Sequence, residues 1–239
     1  MAIGIYSAAA GMAAQQARID ALANDVSNAS TPGYRAERVA FRDLVYGSED
    51  GVSVGSGVAT VDAGLSSASG SVTDSSNPLD LAIDGTAFFQ VRRADGSTAL
   101  TRAGSLQIDA AGSLVLPGGQ QLVPPIKLPN GTQPADVSVA PDGTVSVTGK
   151  KVGQIQLVDV ASPNALVPSG DNLLVATPAS GAPTAAKGST VQQGRIEGSA
   201  VDIATAMTDM IDAQRSYDLS SRVIKMQDEL LSIANGLRS

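Results

Sequence analysis

The chain contains neither histidine nor cysteine. Lacking histidine, it has no side chain whose ordinary pKa suits it to general base catalysis near neutrality. Lacking cysteine, it has no thiolate nucleophile, no disulfide and none of the usual zinc or iron–sulfur ligand sets. The missing thiols say nothing about redox compartment, since such a chain tolerates an oxidising exterior without requiring one. Charge is scarce as well, at 16% of residues against roughly 25% in soluble domains. No basic surplus exists anywhere: residues 47–198 hold eight basic against thirteen acidic side chains, and both flanking segments are nearly balanced. That balance excludes nucleic acid and anionic membrane as partners, because either needs a positive patch. Sparse charge on long helices implies surfaces meant to be covered.

Proline is also absent from Val201–Leu237, and glycine occurs there only at Gly236, so nothing interrupts a helix before its end. Within this stretch Ile203, Met210, Tyr217, Ile224 and Leu231 recur every seven residues, with Val223, Leu230 and Leu237 as a second series beside them. Heptad spacing of apolar residues predicts a long helix with a seam for a partner helix. At the other end Ile5, Met12, Ile19 and Val26 are seven apart, and Ala9, Gln16 and Ala23 fill the intermediate positions. A first helix is predicted from about Ser7 to Asn28. Ser30-Thr31-Pro32-Gly33 stops it: Thr31 precedes proline, and Pro32-Gly33 suits the centre of a type II turn. The small apolar run Ala2–Ala14 lacks the basic region of a secretion signal, since the first Arg is Arg18; it is expected to be helix rather than a cleaved leader.

Between the helices the period changes. Residues 1–46 comprise the helix and a mixed segment, Tyr34–Tyr46, compatible with helix or strand; residues 47–77 are Ser- and Gly-rich and read as a flexible or extended linker. Short β-branched patches at Val52–Val54 and Val58–Val61 are candidates for edge strands within it. Over 78–177 apolar residues alternate, as in Leu79-Leu81-Ile83, Phe88–Val91, Leu106-Ile108, Val137-Val139, Val145-Val147 and Ile155-Leu157. Turn signals separate these runs, among them Asp95-Gly96, Ala111-Gly112, Gly118-Gly119, Asn130-Gly131 and Asp142-Gly143. An antiparallel β domain is expected there, followed by a returning linker at 178–198 and a C-terminal helix at 199–239 that packs with residues 1–30. The fold class is therefore α+β: a discontinuous helical, coiled-coil layer from the N- and C-terminal segments, with an inserted antiparallel β domain.

Candidate chemistry is thin. Asp80 and Asp84 are close enough in sequence to be weighed as a carboxylate pair, but most other Asp residues sit beside Gly in turns, where local hydrogen bonds favour them. No Asp-x-Asp-x-Asp-Gly calcium loop and no Gly-x-x-x-x-Gly-Lys phosphate loop occurs. No catalytic residue, metal or cofactor is expected. The four tyrosines, Tyr6, Tyr34, Tyr46 and Tyr217, all lie in the terminal segments, as core residues or as contacts between subunits.

The run Leu22-Ala23-Asn24-Asp25-Val26-Ser27-Asn28-Ala29-Ser30-Thr31-Pro32-Gly33-Tyr34-Arg35 resembles the N-terminal signature of the bacterial flagellar axial proteins, the rod and hook family, with Asp25 where that pattern has Asn. Leu79–Gly85, Phe88–Val91 and Thr101-Arg102-Ala103-Gly104-Ser105 are similar to its central β block. Glu197–Asp202 and Met210–Tyr217 resemble its C-terminal signature, placing Gln214 and Arg215 beside Asn24, Asn28, Thr31, Pro32, Gly33 and Tyr34 as signature residues. Gln15-Gln16, Phe41–Tyr46, Val152–Ile155 and Ser180–Pro183 are most similar to the distal-rod branch. The resemblance implies a subunit that passes unfolded through the flagellar export apparatus without a cleaved signal and stacks helically outside the cytoplasm into a hollow homopolymer. The terminal helices would form its inner layer, with the β domain outward. Implied partners are further copies, other axial proteins of proximal rod and hook, the export apparatus and the bushing rings around the rod. The competing reading from the residues alone is a binding module or adhesin on a helical stalk.

Overall fold

The computed structural model describes residues 2–44, 46–49, 52–55 and 57–236. Leu237, the last member of the second heptad series, and Val45 lie outside the described residues. Two compact units are formed, each from non-contiguous segments: one draws on 1–27, 37–63 and 202–239, the other on 28–36 and 64–201.

In the first unit helix α1 spans Ala2–Ser27 and helix α2 spans Ile203–Gly236. Helix α1 starts several residues earlier than the spacing alone predicts, because nothing ahead of Ser7 breaks a helix. Its end falls just before the Ser30–Gly33 stop. Helix α2 starts where Asp202 caps it: the Asp202 carboxylate accepts the backbone N–H groups of Ala204 at 2.9 Å and Thr205 at 3.3 Å, and its carbonyl accepts Ala206 N–H. The helices run antiparallel, since Gly11 faces Ser220 while Arg18 reaches Asp209 at 2.9 Å. Beside α1 lies a two-stranded ribbon, Glu37–Asp43 paired with Val58–Leu65, joined through the hairpin of Tyr46–Glu49 with Val52–Gly55. The mixed segment after Tyr34 is thus extended, and the Ser- and Gly-rich tract that follows it carries strands. None of the described helices is long and apolar enough to cross a membrane.

The second unit is antiparallel β structure. Phe88–Arg92 is its central strand, pairing with Thr98–Thr101, Gln121–Leu122 and Leu157–Asp159. A three-stranded sheet, Val137–Val139, Thr144–Val147 and Lys150–Gln154, packs on it. Its first hairpin closes at Gly143, whose φ is +80° and where a Cβ would stand 2.4 Å from the Ile155 carbonyl oxygen, so glycine is required. The core gathers the alternating apolar residues, including Leu81, Phe89, Val91, Val145 and Ile155. Late strands Thr190–Gln193 and Arg195–Glu197 pair back to Leu81–Asp84 and Val72–Asp74. The tracts 47–77 and 178–198, expected as connections, therefore supply strands. Together the terminal helices and the antiparallel sheets make the fold α+β.

The hydrogen bonds from Ala204 and Thr205 hold the Asp202 carboxyl below its ordinary pKa. A lowered folded-state pKa stabilises above the unfolded value and that stabilisation is lost as pH falls through the folded one. Asp202→Ala is expected to lower the thermal midpoint of the helical unit at neutral pH, with the gap to the natural chain closing on acidification through the aspartate range. Circular dichroism melts across pH measure both.

Candidate assembly interface

Helix α2 carries one seam already covered. Ala206, Met210, Ala213, Tyr217, Ser220, Ile224, Gln227 and Leu231 follow one another at alternating spacings of four and three, and all are buried or half-buried. Ala213, at 0% exposure, is the tightest point. This is the a/d pattern of a coiled coil. Of the expected interface residues, Met210, Tyr217, Ile224 and Leu231 are on this seam and half-buried. Ile203 is not brought into it: the side chain is 49% exposed at the start of the helix. The alanines Ala206 and Ala213 were passed over in the sequence because they are small, yet their four-and-three spacing to Met210 and Tyr217 was the available signal.

On α1, Ile5, Met12, Ile19 and Val26 are half-buried, while Ala9, Gln16 and Ala23 between them are exposed. The residues set against α2 are Gly11 and Arg18, one position before the expected seam. Gln214 and Arg215 are exposed on α2, and so is Asn24 on α1. Tyr6 is exposed also, which removes it from the core. Asp25, by contrast, is buried and accepts the Glu37 backbone N–H at 3.2 Å. Burial, and then the neighbouring Asp25 and Asp62 carboxylates, push the Glu37 pKa up.

The signature turn is built in the second unit. Thr31 donates through its backbone N–H to the Asn28 carbonyl at 3.0 Å and through its hydroxyl to Asn28 Oδ1 at 3.1 Å. Tyr34 N–H then closes on the Thr31 carbonyl at 3.2 Å across Pro32 and Gly33. Gly33 has φ +69°, as the third position of a type II turn demands. A Cβ at Gly33 would lie 2.6 Å from Arg102 C and Ala103 N, so the site is closed by backbone as well as by dihedral. Gly33 N–H donates to the Glu197 carbonyl, Ala200 N–H to the Tyr34 carbonyl, and Asn172 Nδ2 to the Pro32 carbonyl at 2.6 Å.

Beneath the turn is a buried charge cluster that sequence reasoning did not assemble. Glu197 is 2% exposed, with Arg102 Nε 3.1 Å from Oε2 and Arg35 Nη2 3.9 Å from Oε1. The first contact is an ion pair without the alignment of a linear hydrogen bond. Arg102 also donates to the carbonyls of Ala87 and Gly85, and Arg35 to that of Ala68. Burial lowers the pKa of both guanidiniums, and Glu197 opposes that shift. Three distant parts of the chain are thus fastened at one carboxylate. All three residues fall in the quoted signature runs, but no spacing in a sequence reveals that they converge.

The weighed carboxylate pair does not form a reactive site. Asp80 is buried and accepts Ser75 Oγ at 2.6 Å and Asn77 Nδ2 at 2.9 Å, while exposed Asp84 accepts Gln192 Nε2 at 3.3 Å. Among the described residues no group of acidic side chains is arranged to hold a metal ion.

Family models place this geometry. Residues 5–35 match the model for flagella basal body rod protein, 82–147 that for the flagellar hook protein FlgE/F/G D1 domain, and 192–237 that for the flagellar basal body rod FlgEFG protein C-terminal. The flagellar basal-body rod protein FlgG of Agrobacterium fabrum is 35% identical over 95% of this chain and 96% of its own length. The chain belongs to the flagellar basal-body rod protein family. FlgG of Caulobacter vibrioides is 35% identical over 98% of the chain and 99% of its own length, and FlgF of Escherichia coli 33% identical over 98% of each. The matched segments at the two ends contain the α1 seam, the signature turn and α2.

Two outcomes follow from the turn and the charge cluster. Gly33→Val, forced against the Arg102–Ala103 backbone, is expected to abolish rod assembly and to lower the unfolding midpoint of the β unit, read by motility and thermal melts. Glu197→Ala leaves two buried guanidiniums facing each other, and removing one partner of such a cluster costs about 3–5 kcal/mol; equilibrium denaturation measures the loss.

Proposed function

We propose that this chain is a structural subunit of the bacterial flagellar basal-body rod that polymerises helically into a hollow shaft and transmits torque to the hook, in the distal part of the rod. The observation that carries the reading is the helical unit: both chain ends are folded into one antiparallel pair, and α2 still presents a long apolar surface that nothing in its own chain covers. Full-length relatives named FlgG support the distal assignment.

A surface of that kind on a repeated subunit is hidden by stacking, and a heterologous contact that does not close a ring generates a helical filament. No side chain needs to react for this. The partners are then identical copies along the shaft, proximal rod and hook subunits at its ends, the export apparatus that delivers the chain and the bushing rings through which the shaft turns. Export without a cleaved signal fits a chain whose first residues are already part of α1. The interface residues are Ile5, Met12, Ile19 and Val26 with Met210, Tyr217, Ile224 and Leu231; Ile203, exposed at the head of α2, is available to a neighbour.

Ile224→Asp places a charge in the α1–α2 seam. It is expected to unfold the helical pair, leave the β unit folded and stop rod formation and motility. Limited proteolysis and electron microscopy of basal bodies read these separately, and normal rods from the variant would refute the proposal.

A further inference from the structure

Helix α2 has a second seam. Leu219, Val223, Met226, Leu230 and Ile233 succeed one another at spacings of four, three, four and three, and all five are exposed, Leu219 by 63% and Leu230 by 58%. At heptad periodicity this stripe lies about 100° around the helix from the covered one. It runs for about 21 Å along the axis at 1.5 Å per residue. Its spacing specifies the occupant's geometry: knobs repeating at four and three fit the holes of another helix lying along α2, not a sheet or a small molecule. The two seams share an edge at Ser220 and Gln227, so a helix on the bare seam continues the packing that α1 begins on the other.

A matching surface exists on α1. Ile5, Ala9, Met12, Gln16, Ile19, Ala23 and Val26 follow the same four-and-three spacing, and the small positions Ala9 and Ala23, with Gln16, are exposed. Gly11 and Arg18, which meet α2 of the same chain, are offset from this row. The row is therefore a trough of small residues edged by half-buried Ile5, Met12, Ile19 and Val26. Large knobs on one helix and a small-residue trough on the other are complementary in shape. The trough also brings Asp20 and the α2 stripe is flanked by Arg222 and Lys225, so the charges at the rims are of opposite sign.

We infer that the bare α2 seam, Leu219–Ile233, docks on the Ile5–Val26 trough of α1 in a second copy of this chain. This rests on the assembly reading above and names the surfaces that carry it. Each copy offers a knob seam on one helix and a trough on the other, so the contact is heterologous and repeats without closing.

The chain's lack of cysteine permits a direct test. Met226→Cys is prepared as one full-length protein, and Ala9→Cys, Gln16→Cys and Ala23→Cys as three others; each is mixed with the first at polymerising concentration and oxidised. Since each chain has a single thiol, any disulfide joins two copies. The expected result is a mixed dimer between position 226 and at least one α1 position, in excess of the 226–226 dimer. Predominance of the 226–226 dimer, or polymers with no mixed dimer at any of the three positions, overturns the inference while leaving the assembly reading intact. In parallel, Leu230→Glu is expected to abolish polymerisation with the monomer's melting midpoint unchanged, and Leu230→Met to retain it; undiminished polymers from Leu230→Glu likewise overturn the inference. Failure of the natural chain to polymerise overturns the assembly reading itself, and the docking surface with it.

Discussion

Everything in the helical unit depends on one coiled-coil seam, the packing of α1 along the four-and-three row of α2 that centres on Ala213. Two terminal segments separated by most of the chain become a single element only through that contact. Neither helix would be secure alone, because isolated helices owe little to propensity and most of their stability to an amphipathic face. Alanine at the tightest point lets the axes approach, and Met210, Tyr217 and Ile224 fill the space on either side. The remaining apolar rows are then left with no partner of their own.

That remainder sets the energetics of assembly. Fully covering one large aliphatic side chain contributes about 1.5–3 kcal/mol, whereas association costs on the order of 4–15 kcal/mol in lost freedom. A single helix-on-helix contact through five side chains therefore comes close to break-even. A subunit that meets several neighbours at once incurs the loss once and gains the contacts several times, which favours addition to an existing stack over free dimers. The β unit is fastened separately: the Glu197 carboxylate, Arg35 and Arg102 tie the residues following α1 to the sheet and to the strand preceding α2. The same place holds Gly33 against the Arg102–Ala103 backbone. A chain that leaves and re-enters a helical unit needs its crossing segments held in register, and a buried ion cluster with backbone partners does so more specifically than apolar packing would.

Much of this was legible beforehand, for identifiable reasons. Heptad spacing without proline announced both helices, and Pro32-Gly33 announced the turn, because each is a local rule. Alternation in Phe88–Val91 or Val145-Val147 likewise announced strands. Short pairs such as Leu114–Val115 and Gln121–Leu122 are too brief for any period to show, and Lys150–Gln154 is polar with a glycine in it. Strands inside the Ser- and Gly-rich tracts exist because distant partners pair with them, as Leu81–Asp84 does with Thr190–Gln193. The α1 seam was placed one position off, since Ile and Met outweigh Gly11 and Arg18 in any hydrophobic count although the latter meet α2. The ion cluster was invisible for the same reason: convergence in space leaves no trace in spacing.

The central claim is that the helical unit is half of an open-ended contact, and the mass distribution of the purified chain as a function of concentration tests it most directly. The account predicts a continuous series of species that lengthens as concentration rises, with no preferred stoichiometry. A single closed oligomer that persists at every concentration, such as the trimer of a helical stalk, would contradict it.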